Sequence, residues 1–455
     1  MLYRIGKSFA TINETDSILY ILLCTIEGES KEIRGESSSG KGTIADEACS
    51  YLPPTWYKKI TGVTDKALRH LPSEIKMLYI AERRGLKSGS TDDESGAEYD
   101  VKLMISEGCL SVLQTVKDPN SETGFTTKER TIHVGSFLLT TTSELSLDEY
   151  DNRFHILNAR DDPDQNRRVV EAIAENAELL PWKRSTNSGM KKIVQKMFDL
   201  IVSDAPKEVV IPYASQLTDS LDFSRSFIRR NIKKLFALIR ASARIHYCQR
   251  PIIRDMTEGT RSAVVALPED LNVVLSIGDR ALRSTFNVLS ETMIDTLVVC
   301  IELSSESEEI TKKTVLEKLR VKSKKKISEQ AIYKRLDGLM KKGFLRTEEK
   351  STPLENGTSG KMKGKTPTIY ALVGDADLAP SLTRLIDPER ILDYEKRVED
   401  FLAENSVPID KTINFGETKT SESADLDQKK QDLRLLPFGV DAGFTNRFWV
   451  DPLRG

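Results

Sequence analysis

The sequence predicts an α/β fold organised on a glycine-rich loop, together with a winged helix-turn-helix domain. Gly35-Glu36-Ser37-Ser38-Ser39-Gly40-Lys41-Gly42-Thr43 stands ahead of a helical pattern. Ile75-Lys76-Met77-Leu78-Tyr79-Ile80-Ala81-Glu82 reads as a buried strand ending in a carboxylate. From Thr292 to Leu372 the pattern runs helix, helix, helix, strand, loop, strand.

The first stretch has the spacing G-x-x-x-x-G-K-[ST], except that Gly42 takes the Ser/Thr position. Its glycines let the backbone curl so that successive N–H groups converge on phosphate oxygens. Lys41 adds positive charge, and the helix behind it starts with its positive dipole end toward the anion. Thr43, one residue late, is the hydroxyl within reach of Mg²⁺, as in the Gly-Lys-Gly-Thr of adenylate-kinase-like loops. The plain alternative is a Gly/Ser-rich surface turn.

Composition narrows the field. The chain has 455 residues, with 67 basic against 69 acidic. It is long enough for roughly two to four domains, and any nucleic-acid contact must come from local patches. Cys24, Cys49, Cys109, Cys248 and Cys300 form no C-x-x-C pair. That pattern predicts reduced thiols in a cytoplasmic protein and speaks against a zinc site. No apolar run reaches membrane-spanning length, no signal-peptide pattern opens the chain, and no internal repeat is visible.

In chain order, Asp16 to Thr25 is a helix or a buried strand placed directly before the loop, and periodicity does not separate the two. Ile44 to Tyr51 is helical until Pro53-Pro54 stops it. Glu82 stands where a phosphate-loop ATPase keeps the carboxylate that polarises the attacking water and holds Mg²⁺ through water, with Ala81 in place of the usual Asp. A strand that merely ends in Glu is the alternative. Ser88 to Gly96 reads as a polar loop and Tyr99 to Glu107 as a helix. Leu110 to Lys117 and Thr126 to Val134 form a hairpin around Pro119 to Gly124. Ser136 to Thr142 is a further buried strand with a polar C-terminal end, where ligands lie in open α/β sheets. Asn152-Arg153-Phe154 follows, then Asp161-Asp162-Pro163-Asp164 and an amphipathic helix to about Leu179.

This order of parts resembles the AAA+ core of minichromosome-maintenance (MCM) helicases. It is closer still to the MCM-like ATPase modules of mobile-element and viral replication proteins. The resemblance covers roughly Ser30 to Arg250 and is specific at the loop and at Asn152-Arg153-Phe154. It implies a three-layer core with a helical lid that hydrolyses ATP with Mg²⁺ between subunits of a homo-oligomeric ring, a hexamer. Lys41 and Thr43 would hold phosphates and metal, and Glu82 would orient water. Arg153 would be a finger in a neighbour's site, and Thr141 or Thr142 would sense the γ-phosphate where MCM proteins place Asn. Lys117, Lys128 and Arg130 would face DNA in a central pore. Two departures stand out: Ala81, and no counterpart of the amino-terminal DNA-binding and zinc domain. Without the family, Arg153 reads as an ordinary salt-bridged arginine and the hairpin charges as a solvated face.

Ser226 to Tyr247 is a basic amphipathic helix that looks like the lid, with Arg229 or Arg230 as its phosphate-reading arginine or merely a solvent face. Ala263 to Leu275 reads as a short strand and helix. In the winged helix, Ile332, Leu336, Leu339 and Met340 face the core and Gly343 caps the third helix. Gln330, Tyr333, Lys334, Lys341 and Lys342 face outward beside Lys322 and Lys324 to Lys326, which suits DNA phosphates or, alternatively, a protein partner. Pro388 to Glu404 is an amphipathic helix on Ile391, Val398, Phe401 and Leu402. Thr418 to Lys430 is polar and predicted disordered, and the end carries Phe438, Phe444, Phe448 and Trp449. The expected division is 1–185 ATPase core, 186–280 lid and connector, 285–375 winged helix, 376–455 helix and tail. A DNA translocase or helicase of plasmid, viral or integrated-element replication is the first expectation, with a primase or other replication partner compatible with it. An ATP-switched DNA-binding initiator or regulator is the second, and a nucleotide kinase the third.

Overall fold

The computed structural model describes residues 14–63, 66–83, 96–117, 120, 124–142, 152–180, 182, 188–219, 228–254, 261–287, 291–323, 327–341, 343–348, 368–373 and 388–405. The chain divides into two compact units, Met1–Leu282 with Leu385–Gly455, and Arg283–Arg384. The expected loop from Ser88, the residues Lys324 to Lys326 and Lys342, and the whole tail beyond Asn405 lie outside the described residues.

In the first unit, strands β1 (Lys31–Arg34), β2 (Tyr57–Ile60), β3 (Glu74–Ile80), β4 (Leu110–Lys117), β5 (Phe125–Thr141) and β6 (His155–Asn158) form one sheet. Its order is β2–β3–β5–β1–β6 with every pairing parallel, and β4 pairs antiparallel with β5. Helices α1 (Thr15–Ile26) and α2 (Lys41–Ser50) cover one face, where Thr25 Oγ1 meets Met77 Sδ at 3.6 Å. Helix α3 (Gly96–Glu107) covers the other, packing Ala97, Val101 and Met104 against Leu78, Ile80, Phe137 and Leu139. This mixed α/β architecture around a mostly parallel sheet fits a phosphate-loop ATPase fold.

The strand that enters the loop is β1. The apolar stretch from Asp16, expected there, is helix α1, buried at Ile18 and from Tyr20 to Thr25, so neither period stands out. β1 reads Lys-Glu-Ile-Arg and looks like surface. Yet Lys31 and Glu32 are fully buried and Arg34 is 3% exposed. Buried charge needs partners, and here some lie far away in sequence. Glu32 accepts from Arg34 Nε at 2.8 Å and Arg83 Nη1 at 3.2 Å, and Arg83 Nη2 donates to Glu98 at 2.9 Å.

On the other side of β1, Lys31 Nζ donates to Thr25 Oγ1 at 2.8 Å, Ser136 Oγ at 3.2 Å and the Glu29 carbonyl at 3.2 Å. Burial pulls this ammonium down to about 8. A lysine whose folded pKa lies below its unfolded value destabilises the fold while protonated, so the penalty is full below about pH 8 and is lifted as pH rises from there toward 10.5. The Cys24, Cys49 and Cys300 thiols, pushed up from 9.0 by burial, lower stability over the same window as the unfolded chain ionises. Lys31→Met keeps those thiols and removes only the lysine. It should be more stable than the parent near pH 7, by at most about 3 kcal/mol, and this advantage in urea stability should shrink between about pH 8 and pH 10. A difference between variant and parent that stays constant with pH would count against a charged, buried Lys31.

Thr126 to Val134 and Ser136 to Thr142, expected as separate strands, fall on the single 17-residue β5, with Thr142 just past its end. Gly135 is a close approach rather than a break: a Cβ there would lie 2.7 Å from the Lys76 carbonyl oxygen. β5 passes from antiparallel pairing with β4 to parallel pairing with β3 between Ile132 and His133, ahead of this glycine. The hairpin register sets Lys117 opposite Phe125, Gln114 opposite Lys128 and Val112 opposite Arg130. Because side chains alternate, Lys117 shares a face with Leu113 and Phe125, whereas Lys128 and Arg130 share the face of Val112 and Gln114. The single basic surface expected of Lys117, Lys128 and Arg130 is thus split. Arg130 also turns back to donate to the carbonyls of His70 and Leu71.

Beyond β6 come α4 (Pro163–Glu178), α5 (Ser188–Asp204), β7 (Glu208–Val210), α6 (Ala214–Thr218), α7 (Ile228–Ile245), β8 (Ile252–Arg254), β9 (Ser262–Val265) and α8 (Pro268–Asn287). α5 packs on the far end of α2, with Gln195 Nε2 on the Ser50 carbonyl at 3.0 Å and Phe198 edge-on to Trp56 at 5.6 Å. Asp270 ties α7, α8 and the chain before β8, accepting from Ser242 Oγ at 2.7 Å and from Arg250 Nε and Nη2 at 2.8 and 2.9 Å. Although burial opposes its charge, hydrogen bonds from His246 and Arg250 hold its carboxyl at about 2. The helix Pro388–Glu404 buries Val398 and Leu402 and stacks Tyr394 on Tyr213, ring centres 5.2 Å apart.

The second unit contains α9 (Glu291–Ser305), β10 (Ile310–Thr311), α10 (Lys312–Ser323), α11 (Glu329–Lys341), β11 (Leu345–Glu348) and β12 (Ile369–Leu372). Its sheet has the antiparallel order β10–β12–β11. β10 was not expected, being two residues long and too short to alternate. Ile332, Leu336 and Leu339 enter the core with Met340 packed against it. Gly343, at φ 76°, closes α11 through its N–H on the Met340 carbonyl at 2.9 Å.

Candidate active site

A parallel sheet gathers the C-terminal ends of its strands on one edge, the edge where α/β proteins bind ligands. Here that edge carries the chain after β1 (Gly35 to Gly40), after β3 (Ala81, Glu82), after β5 (Thr142) and after β6 (Ala159 to Asp161). β5 lies between β1 and β3, so Thr141 and Thr142 stand between the loop and Glu82. The Thr141 carbonyl accepts the Gly35 N–H at 3.3 Å, and the Thr140 hydroxyl donates to the Ala81 carbonyl. Adjacent strand ends are thereby fastened together.

The loop turns into α2 through Ser38 at φ 69° and Gly40 at φ 85°. Gly40 is the N-cap of α2 and supplies no side-chain cap, which leaves the first-turn N–H groups for another acceptor. A side chain at position 40 would be strained at that φ. Lys41 is 7% exposed, and its Nζ donates to the carbonyls of Gly35 at 2.9 Å and Glu36 at 2.5 Å. Burial pulls its pKa below the ordinary lysine range, while the carboxylates of Glu82, Asp161 and Glu36 act to raise it. Asp161 was not among the expected site residues, since only the strand order brings it to this edge. Thr43 is exposed in the first turn of α2, and a Cβ added at Gly42 would meet nothing within 4 Å. Packing therefore does not require glycine at position 42.

Ser39 Oγ and Glu82 Oε1 are buried without a hydrogen-bond partner among the described residues. Two orphan polar atoms, an uncapped helix N-terminus and a lysine at the same edge fit a polyphosphate with its Mg²⁺. Among the described residues no group of three or more His, Cys, Asp or Glu could hold a metal. Mg²⁺ held chiefly by phosphate and one or two protein oxygens needs no such group.

Arg153 lies at the opposite edge. It precedes β6, whose first residue His155 pairs with Lys31 at the start of β1. Its Nε donates to Ser106 Oγ at the end of α3 at 3.0 Å. The four residues of β1 separate that edge from the loop by about 13 Å, so Arg153 does not serve the loop of its own chain. Arg229 and Arg230, read from the sequence as holding either a lid arginine or a solvent face, are exposed in the first turn of α7. That helix docks along the same strand-start edge, with Lys234 Nζ on the Phe154 carbonyl at 2.7 Å and Arg240 and Arg244 on Glu27 at 3.0 and 3.1 Å. They do not join the loop. Arg280 of α8 does reach the strand-end edge, with Nη2 3.5 Å from the Asn158 carbonyl, and nothing local in the sequence marks it.

The sequence matches no family model and no curated protein. A solved structure of a candidate ATPase from Cytophaga hutchinsonii is similar to 59% of this chain and 82% of its own, at 12% identity and TM-score 0.35. Likeness that loose carries no weight here. In the second unit, Tyr333 and Lys334 are exposed on α11, while Lys341 pairs with Asp337 at 2.8 Å and Lys322 pairs with Glu302. No helix among the described residues is long and apolar enough to cross a membrane.

Proposed function

We propose that this chain is an ATP-hydrolysing AAA+ motor of the MCM-like type that moves on DNA during replication. What carries the proposal is the shared edge of the uncapped loop, Lys41 and the orphan carboxylate oxygen of Glu82. Backbone N–H groups and Lys41 hold the phosphates, and Glu82 orients the attacking water. Thr43 and, through water, Glu82 would hold Mg²⁺, which supplies positive charge against the phosphates. Thr142 reads the γ-phosphate. Arg153, directed away from its own loop, completes the site of the next subunit in a ring, a hexamer. The second unit acts as a winged helix, meeting DNA through Tyr333, Lys334, Lys341 and Lys342, and the hairpin grips the backbone with Lys117 on one face and Lys128 on the other.

An ATP-switched initiator or regulator is the alternative, favoured by the split hairpin charge and by the carboxylate partners of Lys322 and Lys341. Phosphate release measured with single-stranded DNA, duplex DNA and nucleoside monophosphates separates the possibilities. A motor should show DNA-stimulated turnover with strand displacement. Turnover indifferent to DNA indicates the switch, and phosphoryl transfer to a monophosphate indicates a kinase. A chain that neither binds nor hydrolyses ATP overturns all three. DNA affinity of the full chain should also fall steeply with salt, and the double change Lys334→Ala, Lys341→Ala should lower the log–log slope by about 2. An unchanged slope would remove this face from the DNA contact.

A further inference from the structure

Four paired charges lie buried directly behind the candidate site. Glu32 and Arg34 belong to β1, Arg83 follows Glu82, and Glu98 stands in the first turn of α3. The two terminal nitrogens of Arg83 go to different carboxylates, Nη1 to Glu32 at 3.2 Å and Nη2 to Glu98 at 2.9 Å. One guanidinium thus pins the strand that feeds the loop, the chain immediately after Glu82, and the helix that leads into the hairpin. Buried ion pairs add little stability over well-packed apolar residues. What they add is direction, because a planar guanidinium accepts carboxylates only along its fixed N–H vectors.

We propose that Arg83 is a positioning residue for hydrolysis, holding Glu82 in place beside the phosphate loop without touching nucleotide. This rests on the ATPase function proposed above. Arg83→Met removes both ionic contacts, and Arg83→Lys keeps the charge but cannot span both carboxylates with one planar group. In the full-length protein, both variants should bind a fluorescent ATP analogue within about 3-fold of the parent. The turnover number should fall about 100-fold in Arg83→Met and about 10-fold in Arg83→Lys, with KM nearly constant, because a displacement near 1 Å has that effect. A brace with no part in positioning would lower the melting temperature and leave the turnover of the folded fraction alone. Parent turnover in a folded Arg83→Met overturns the proposal, and so does loss of nucleotide affinity together with turnover. Should Arg83→Met not fold, Arg83→Lys decides on the same criteria, and failure of both to fold makes the residue structural and the proposal wrong. Glu82→Gln is measured alongside. If it keeps the parent rate, the role of Glu82 fails and positioning fails with it. If it is inactive while the Arg83 variants are not, only the positioning role is lost.

Discussion

Lys41→Ala should reduce ATP hydrolysis by about 100- to 1000-fold, the cost of removing one preorganised group from a charged transition state. The side chain is nearly buried, yet its ammonium is directed at the Gly35 and Glu36 carbonyls of the loop, not into the core. Truncation therefore opens no apolar cavity and leaves two loop carbonyls to find other donors, at about 1 kcal/mol each. The fold should survive with a melting temperature lowered by only a few degrees. Burial already holds the ammonium below its ordinary range, against the attraction of Glu82, Asp161 and Glu36. A polyphosphate at the loop would favour the protonated form, so binding should weaken along with turnover. Phosphate release and analogue binding on the folded variant check this. Hydrolysis at the parent rate would place the nucleotide site elsewhere.

The loop was legible because its chemistry is local: two glycines and a lysine at fixed spacing, ahead of a helix, describe a phosphate cradle in any fold. The second unit was legible for a similar reason, since Ile332, Leu336 and Leu339 repeat with the helix period and Gly343 ends it. β1 was not. Its charges look like surface until Arg83, 51 residues from Glu32, arrives to pair them. Gly135 resembled a break because a glycine needed for close backbone approach looks the same in sequence as one in a turn. The division of Lys117 from Lys128 depended on hairpin register, and a shift of one residue would have exchanged their faces. Whether Arg229 and Arg230 belong to a lid or to a solvent face stayed open in the sequence because α7 is held by Phe154 and Glu27, partners that helix periodicity cannot name.

Arg153→Ala should lower hydrolysis by about 1000-fold or more while leaving ATP affinity within about 3-fold, the pattern of a finger that meets charge only in the transition state. Its place at the start of β6, across the sheet from Lys41, excludes service to its own loop. The cost to the fold should be small. The Ser106 contact lies at an exposed position, and one such hydrogen bond contributes about 1 kcal/mol. Phe154, the buried neighbour, keeps the turn in place. A residue acting on a partner has a signature that no residue acting on its own chain can produce. Mixing Arg153→Ala with Lys41→Ala subunits creates interfaces that pair an intact loop with an intact arginine, and activity should return in the mixture though each variant alone is inactive. Mixtures that co-assemble by light scattering and remain inactive would rule out the finger. Undiminished hydrolysis in Arg153→Ala would do the same, and would return the residue to its plain role of tying the start of β6 to the end of α3.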